Sequence, residues 1–295
     1  MKERTIYALG FFDGVHLGHQ ALLRECKRMA QAQNCRAGVI TFSVHPLSLV
    51  SQDAPKLINT PAERKQLLLQ HGMDCVLTLS FDEKMMRLPW RDFFRLITTE
   101  YGACGLVCGE DFRFGWRGEG TAQLLQALCQ EEGIECFVVA QQLLDGITVS
   151  STHIRTLLEE GKLSDAVRFL GHPHILSGTV ISGQHLGRTM GIPTANLALA
   201  DSIVCPKHGV YACKATIDGA EHLAVTNIGT RPTVGGSEVA VEAYLLDFCA
   251  DIYGKTLTLS FYDYLRQEQK FPNLDELQAQ IQENAASVRK IFEKT

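Results

Sequence analysis

The stretch "GFFDGVHLGH", residues 10–19, sets two imidazoles three residues apart on a glycine-rich turn that follows a short apolar run. Gly10, Gly14 and Gly18 let the backbone approach a ligand closely, and the N–H groups that open a helix attract phosphate. His16 and His19 then supply donors for phosphate oxygens. This set suits attack on the α-phosphate of a nucleoside triphosphate, a step governed by positioning and charge stabilisation. Two surface histidines at a helix start would leave the same pattern.

Other stretches place chemistry at comparable positions. "TFSVHP", residues 41–46, puts His45 at the end of a second apolar run. "GEDFRFG", residues 109–115, combines Asp111, Phe112, Arg113 and a second phenylalanine between glycines. The aromatic pair can stack a flat ring and Arg113 can pair with phosphate; alternatively the loop packs its phenylalanines inward. "VSSTHIR", residues 149–155, offers Ser151 and Thr152 at a helix start with Arg155 one turn in. Those hydroxyls suit a triphosphate, or Ser150 or Ser151 simply caps the helix.

A second chemistry begins beyond residue 180. In "GRTMGIPTANL", residues 187–197, Gly187 and Gly191 allow sharp turns and Pro193 fixes one backbone angle. Thr194 and Asn196 offer oxygen ligands two residues apart. Magnesium prefers such hard oxygens, keeps waters and bridges to substrate phosphates; a loop with an Asn turn is the alternative. In "VEAYLLDF", residues 241–248, Glu242 sits in an otherwise apolar run. It could accept the proton of a hydroxyl attacking a γ-phosphate. Equally, it alternates with Val241 and Ala243, as a residue on a solvated strand face would.

The elements that must hold these groups fall into two patterns. Up to about residue 170, short apolar runs alternate with helical patterns: strands at "TIYALGFF", "AGVITF", "CVLTLSF", "CGLVCG" and "CFVVAQQ", with helices between them and a last helical stretch over about 151–170. Strand runs that barely alternate predict a parallel sheet covered on both faces. Ligands sit beyond the carboxyl ends of such strands, where residues 10–19 lie. From about residue 171, "GHPHILSG" reads as a linker, and short runs at hairpin spacing predict a small all-β barrel or sandwich. An amphipathic helix starting near residue 274 closes the chain, with Asn273 and Glu276 as its capping box. The expected organisation is therefore one domain over 1–172 and another over 173–295.

Composition narrows the class. The 295 residues are 45% hydrophobic and 21% charged, enough for a sizeable core in each half. A net charge of −5 argues against a nucleic-acid partner, which would want a basic surface. No apolar run is long enough to span a bilayer, and no signal peptide is expected. The ten cysteines include no CxxC pair, so they are expected to be reduced, mostly buried thiols of a cytoplasmic protein rather than zinc ligands.

With these motifs in order, the chain resembles the bacterial bifunctional riboflavin kinase/FAD synthetases over essentially its full length. "GFFDGVHLGH", "GEDFRFG" and "SSTHIR" resemble the FMN adenylyltransferase module; "GIPTAN", "KHGVYA", "NIGTRPT", "VEAYLLDF", "IYGKTLTLSF" and "LRQEQKF" resemble the riboflavin kinase module. The resemblance implies a Rossmann-like α/β nucleotidyltransferase domain, then a six-stranded β-barrel with a C-terminal helix. It implies riboflavin, FMN and ATP as substrates, Mg2+ as the metal, and no obligate protein partner. By it, His16 and His19 stabilise the α-phosphate transition state, while Gly10, Phe12, Asp13, Gly18, His45, Asp111, Phe112, Arg113, Ser151, Thr152 and Arg155 line the first ATP and flavin sites. By it also, Thr194 and Asn196 hold Mg-ATP, Glu242 is the catalytic base, and Gly187, Arg188, Gly191, Pro193, Asn227, Arg231, Arg266 and Glu268 bind ATP or flavin in the kinase. The chain departs from the common pattern at five positions. The family usually has Asn at Phe12, Pro at Val44 and Arg at His153, and often has His at Ser182 and Asp at Asn284.

Overall fold

The computed structural model describes residues 3–49, 54–182, 192–233 and 236–293, with 231–233 and 236–238 by backbone alone. The chain divides into two compact units, Met1–Ser151 and Thr152–Thr295.

The first unit is built on a five-stranded sheet of β1 (Thr5–Leu9), β2 (Arg36–Phe42), β3 (Cys75–Leu79), β4 (Ala103–Gly109) and β5 (Glu135–Val139), in the order β3-β2-β1-β4-β5. Every pairing is parallel. Strand β1 is buried at all five positions and lies at the centre. The chain leaves β1 towards β2 on one side and later returns to β4 on the other, so the sheet has its switch point at the carboxyl end of β1. Helices α1 (Leu17–Ala32), α2 (Pro61–Gln70), α3 (Trp90–Arg95) and α4 (Ala122–Glu131) form the crossovers. Thr60 and Glu63 form a capping box before Pro61. Helix α3 runs on through a π-helical turn, Leu96–Glu100. One core cluster joins Leu9, Ile40, Phe93, Ile97, Leu106 and Leu125 beneath the sheet.

The second unit opens with most of α5 (Ser151–Glu160) and with α6 (Leu163–Leu170). The single helical stretch expected over 151–170 is broken at Gly161, whose φ of 81° suits glycine. Lys207 donates its backbone N–H to the Leu158 carbonyl, and α6 packs on the barrel wall. The barrel itself is closed and six-stranded: β6 (His174–Ile181), β7 (Thr194–Ala198), β10 (Gly236–Leu245), β9 (Ala220–Thr233), β8 (Gly209–Ile217) and β11 (Thr256–Arg266), in that spatial order. Its neighbours pair antiparallel throughout. Tyr211, Cys213, Ala215, Ala243, Leu257, Leu259 and Phe261 are wholly buried. Helix α7 (Leu274–Phe292) starts at the expected cap: Asn273 Oδ1 accepts the Glu276 N–H at 2.9 Å. Ala285 and Val288 of α7 pack on Val210, Ala212 and Val225 of the barrel wall.

All ten cysteines are free thiols; Cys26, Cys108, Cys129 and Cys213 are buried and Cys249 is exposed. Among the described residues, no helix is long and apolar enough to cross a membrane.

Candidate functional sites in the two units

The first site grows out of the end of β1. The strand stops at Leu9, three residues short of the apolar run, because Phe12 takes the left-handed conformation at φ 60°, ψ 30°. Gly14 and Val15 also have positive φ, 81° and 41°. Left-handed backbone at Phe12 and Val15 is costly without local support, and such strain concentrates at functional turns. Here the support is visible. Phe12 is wholly buried, with its ring 5.1 Å from that of His19 and close enough to Gly10 to leave little room for a Cβ. The Asp13 carboxylate accepts the backbone N–H groups of Ile58 at 2.9 Å and Asn59 at 3.3 Å, which ties the turn to the segment entering α2. Ser151 donates its hydroxyl to the Asp13 carbonyl at 2.8 Å.

His16 is the N-cap of α1, and its Nδ1 accepts the His19 N–H at 3.3 Å. That bond fixes the tautomer of the neutral ring: the proton sits on Nε2, which becomes a donor. The two imidazoles stack at 3.6 Å with 15° between planes. A Cβ at Gly18 would lie 3.2 Å from the His16 ring, so glycine there leaves the imidazole its place. Burial, then the neighbouring His16 and Arg64, push the His19 pKa well below the usual imidazole value, so His19 is neutral at neutral pH. Two neutral imidazoles at a helix N-terminus present hydrogen-bond donors to anionic oxygen without pairing off as cations.

The other groups predicted from the sequence for adenylyl transfer take varied positions. His45 lies just beyond β2, where its Nδ1 accepts the Leu47 N–H at 3.1 Å and its ring meets Phe11 edge-on at 4.8 Å. Asp111 and Arg113 are exposed beyond β4. Phe112 stacks on Phe114 at 5.6 Å, and Phe114 belongs to the core. Thr152 and Arg155, in the first turns of α5 and so in the second unit, are joined by a 3.3 Å bond from Nη2 to the threonine hydroxyl. Sequence reasoning missed Asn59 and Arg64, which the fold carries to the foot of the histidine turn. The Thr60 and Glu63 capping box seen in the structure accounts for the helix start and carries no sign of a site.

The second site lies on the outer wall of the barrel. Glu242 pairs with Asn196 of β7 on one side and Asn227 of β9 on the other, so three polar residues form one row across three strands. Its neighbours Val241 and Ala243 point to the buried interior, while Glu242 lines a cavity of about 320 Å³ between the wall and α7. Thr194, Asn227, Arg266, Glu268 and Asn284 border the same cavity. Arg266 donates Nε–H to Asn284 Oδ1 at 3.3 Å and Nη1–H to the Gln267 carbonyl at 2.9 Å, and burial lowers its pKa. Glu268 accepts from Asn227 Nδ2 at 3.5 Å, and a Cβ at Gly229 would overlap its carboxylate.

A second cavity of about 250 Å³ is bordered by Pro193, Thr194, Asn196, Phe248, Asp251 and Tyr253. Thr194 borders both cavities. The segment holding Phe248, Asp251 and Tyr253 was not singled out as a site from sequence, and its turn composition alone carried no signal of one. Gly187, Arg188 and Gly191 lie outside the described residues, as does the side chain of Arg231.

Comparison with known proteins separates the same two parts. A family model described as FAD synthetase matches residues 1–153, and one described as riboflavin kinase matches residues 170–292. A bifunctional riboflavin kinase/FMN adenylyltransferase of Escherichia coli strain K12 is 37% identical over 99% of this chain and 94% of its own. The Listeria monocytogenes protein of the same name is 35% identical over 98% and 93%, and that of Bacillus subtilis 34% over 99% and 93%. A crystal structure described as a macrolide-efflux protein from Streptococcus pneumoniae has a TM-score of 0.87 at 31% identity, covering 98% of this chain and 95% of that one.

Proposed function

The chain belongs to the family of bifunctional riboflavin kinase/FMN adenylyltransferases, and on that footing we propose how its two sites divide the work. It phosphorylates riboflavin with ATP to give FMN, then transfers an adenylyl group from ATP to FMN, giving FAD and pyrophosphate. Residues 173–295 carry the first reaction and residues 1–172 the second. Both substrates and ATP are metabolites of the cytoplasm, where the chain acts.

In the kinase, riboflavin occupies the cavity under α7 and ATP the cavity beside Phe248 and Tyr253. The observation that carries this reading is the position of Thr194, which borders both cavities two residues from Asn196 and close to the Glu242 row. Glu242 takes the proton of the ribityl 5′-hydroxyl as that oxygen attacks the γ-phosphorus, and ADP leaves with the bridging oxygen. The threonine hydroxyl and asparagine carbonyl are hard oxygen donors and fit Mg2+, which rests largely on phosphate oxygens and water. Thr194 and Asn196 would hold it. When bound, the ion neutralises charge on the phosphates. Arg266 and Asn227, with Glu268, orient the flavin.

In the adenylyltransferase, the FMN phosphate attacks the α-phosphorus of ATP and pyrophosphate leaves. His16 Nε2–H and His19 donate to the oxygens on which charge grows, while the opening N–H groups of α1 face the same anion. Asp13 and Ser151 hold the turn in shape. His45, Asp111, Phe112 and Arg113 complete the ATP and flavin contacts of the first unit.

The test is incubation with riboflavin, ATP and magnesium, followed by chromatography. FMN should appear first and FAD after it. No FMN would refute the kinase assignment; FMN without FAD, even when FMN is supplied, would refute the adenylyltransferase.

A further inference from the structure

Arg64 has no part in the motifs read above, yet it is the largest wholly buried side chain among the described residues, at 1% exposure. It sits one turn into α2. Its Nη2 donates to the carbonyl of Phe42, the last residue of β2, at 2.6 Å. Its guanidinium lies 4.2 Å over the ring of Phe11, just beyond the end of β1. Phe11 is fixed from its other side as well, since Thr41 of β2 donates its hydroxyl to the Phe11 carbonyl at 2.9 Å. The charge of Arg64 is offset by Asp13, although burial still lowers its pKa to about 10, so it remains a cation at neutral pH.

Asp13 closes the circuit. Its carboxylate holds the N–H groups of Ile58 and Asn59, which lead directly into the helix that carries Arg64. One guanidinium thus ties together the ends of two adjacent strands, the histidine turn and the start of α2. Burial of a cation without a full complement of partners is expensive. Here Arg64 Nη1, both side-chain amide atoms of the wholly buried Asn59, and His19 Nδ1 have no hydrogen-bond partner among the described residues. Unpaired buried groups like these are costly, and their gathering next to one turn points to function rather than to packing alone.

We propose that Arg64 is a positioning residue for adenylyl transfer, clamping the ends of β1 and β2 so that the turn bearing His16 and His19 keeps its shape. This rests on the assignment of that turn to adenylyl transfer. Lysine could keep the charge, but it cannot bond Phe42 and cover Phe11 with one planar group. Methionine fills similar space and supplies neither.

The experiment uses the full chain carrying Arg64→Met or Arg64→Lys. Adenylation of supplied FMN, phosphorylation of riboflavin and thermal unfolding are measured on the same preparations. Arg64→Met should lower kcat for adenylyl transfer by about 100-fold, the scale expected when a reacting group moves by about an ångström. KM for ATP and FMN should stay near the wild-type values, the kinase rate should not change, and the first unit should remain folded at the assay temperature. Arg64→Lys should recover only part of the lost kcat. The proposal is overturned if Arg64→Met keeps kcat within a factor of about two of wild type, if the loss falls on KM, or if it follows unfolding of the first unit. Wild-type chain that makes no FAD from FMN would instead overturn the assignment of the turn.

Discussion

His16 accepts the backbone N–H of His19 through Nδ1 at 3.3 Å while the two rings stack at 3.6 Å. One imidazole therefore does two jobs. It caps α1, and in doing so it leaves its remaining proton on Nε2.

These jobs can be separated. Asparagine is among the best N-cap residues, but it has no counterpart of the Nε2–H donor. His16→Asn should keep the melting temperature of the first unit and lose about 10²–10³ in kcat for FAD formation. His16→Ala should lose the same activity and about 1 kcal/mol of stability besides. His19→Ala should stop FAD formation and leave FMN formation intact. Thermal unfolding with chromatographic assay of both products checks all three, and an active His16→Asn would deny His16 its role as a donor.

Much of this arrangement is legible in the residues, and what is not has identifiable causes. The five parallel strands announce themselves because strands buried on both faces are continuous apolar runs. The end of β1 is misjudged by three residues: Phe11 and Phe12 extend the apolar pattern, and only the structure shows Phe12 turning left-handed. Of the two readings of "PTANL", the loop with an Asn turn gives way to the strand β7, which is only five residues long and directly follows Pro193. Its polar residues Thr194 and Asn196 border the cavity beside Phe248, while Ala195 and Leu197 alternate with them and are buried. Glu242 was ambiguous because alternation says which residues share a face and not what covers it; α7 supplies the cover. Arg64 was invisible because an arginine near a helix start reads as surface, and its burial follows only from where α2 packs.

Glu242 lies in the cavity under α7, between Asn196 and Asn227 on the flanking strands. Glu242→Gln keeps the shape and removes the base. Riboflavin phosphorylation should fall by about 10²–10⁴ in kcat, with little change in KM for riboflavin, while adenylation of supplied FMN continues at the wild-type rate. Separate assays of the two reactions check this. Equal loss of both would mean that the two sites are not independent.

Asn284 is 5% exposed and accepts the Nε–H of Arg266 at 3.3 Å. A neutral amide there leaves the guanidinium charge available to the cavity under α7. In Asn284→Asp, a carboxylate would form a charge-assisted bond with Arg266 and hold it against α7. The variant should melt at a higher temperature and show a several-fold higher KM for riboflavin, with kcat little altered. An unchanged KM would mean that Arg266 does not meet the flavin.

His174 opens β6 and is wholly buried, its ring 5.8 Å from that of Phe261, with neither nitrogen partnered among the described residues. Burial first, and the nearby His172 second, lower its pKa from 6.5 to about 3. In the unfolded chain the ring takes up a proton near pH 6.5, whereas in the folded barrel it resists doing so until about pH 3. Between those values the unfolded state binds more protons, so stability falls as pH falls. It is complete above pH 6.5, declines below it, and from pH 7.5 to pH 5 this group alone should remove about 2 kcal/mol. Hydrogen exchange followed on β8 and β11 isolates the barrel from the first unit, where His19 titrates in the same direction. The wild-type barrel should lose protection on acidification to pH 5, and His174→Leu should lose distinctly less. An equal loss in the two proteins would assign the acid sensitivity to other groups.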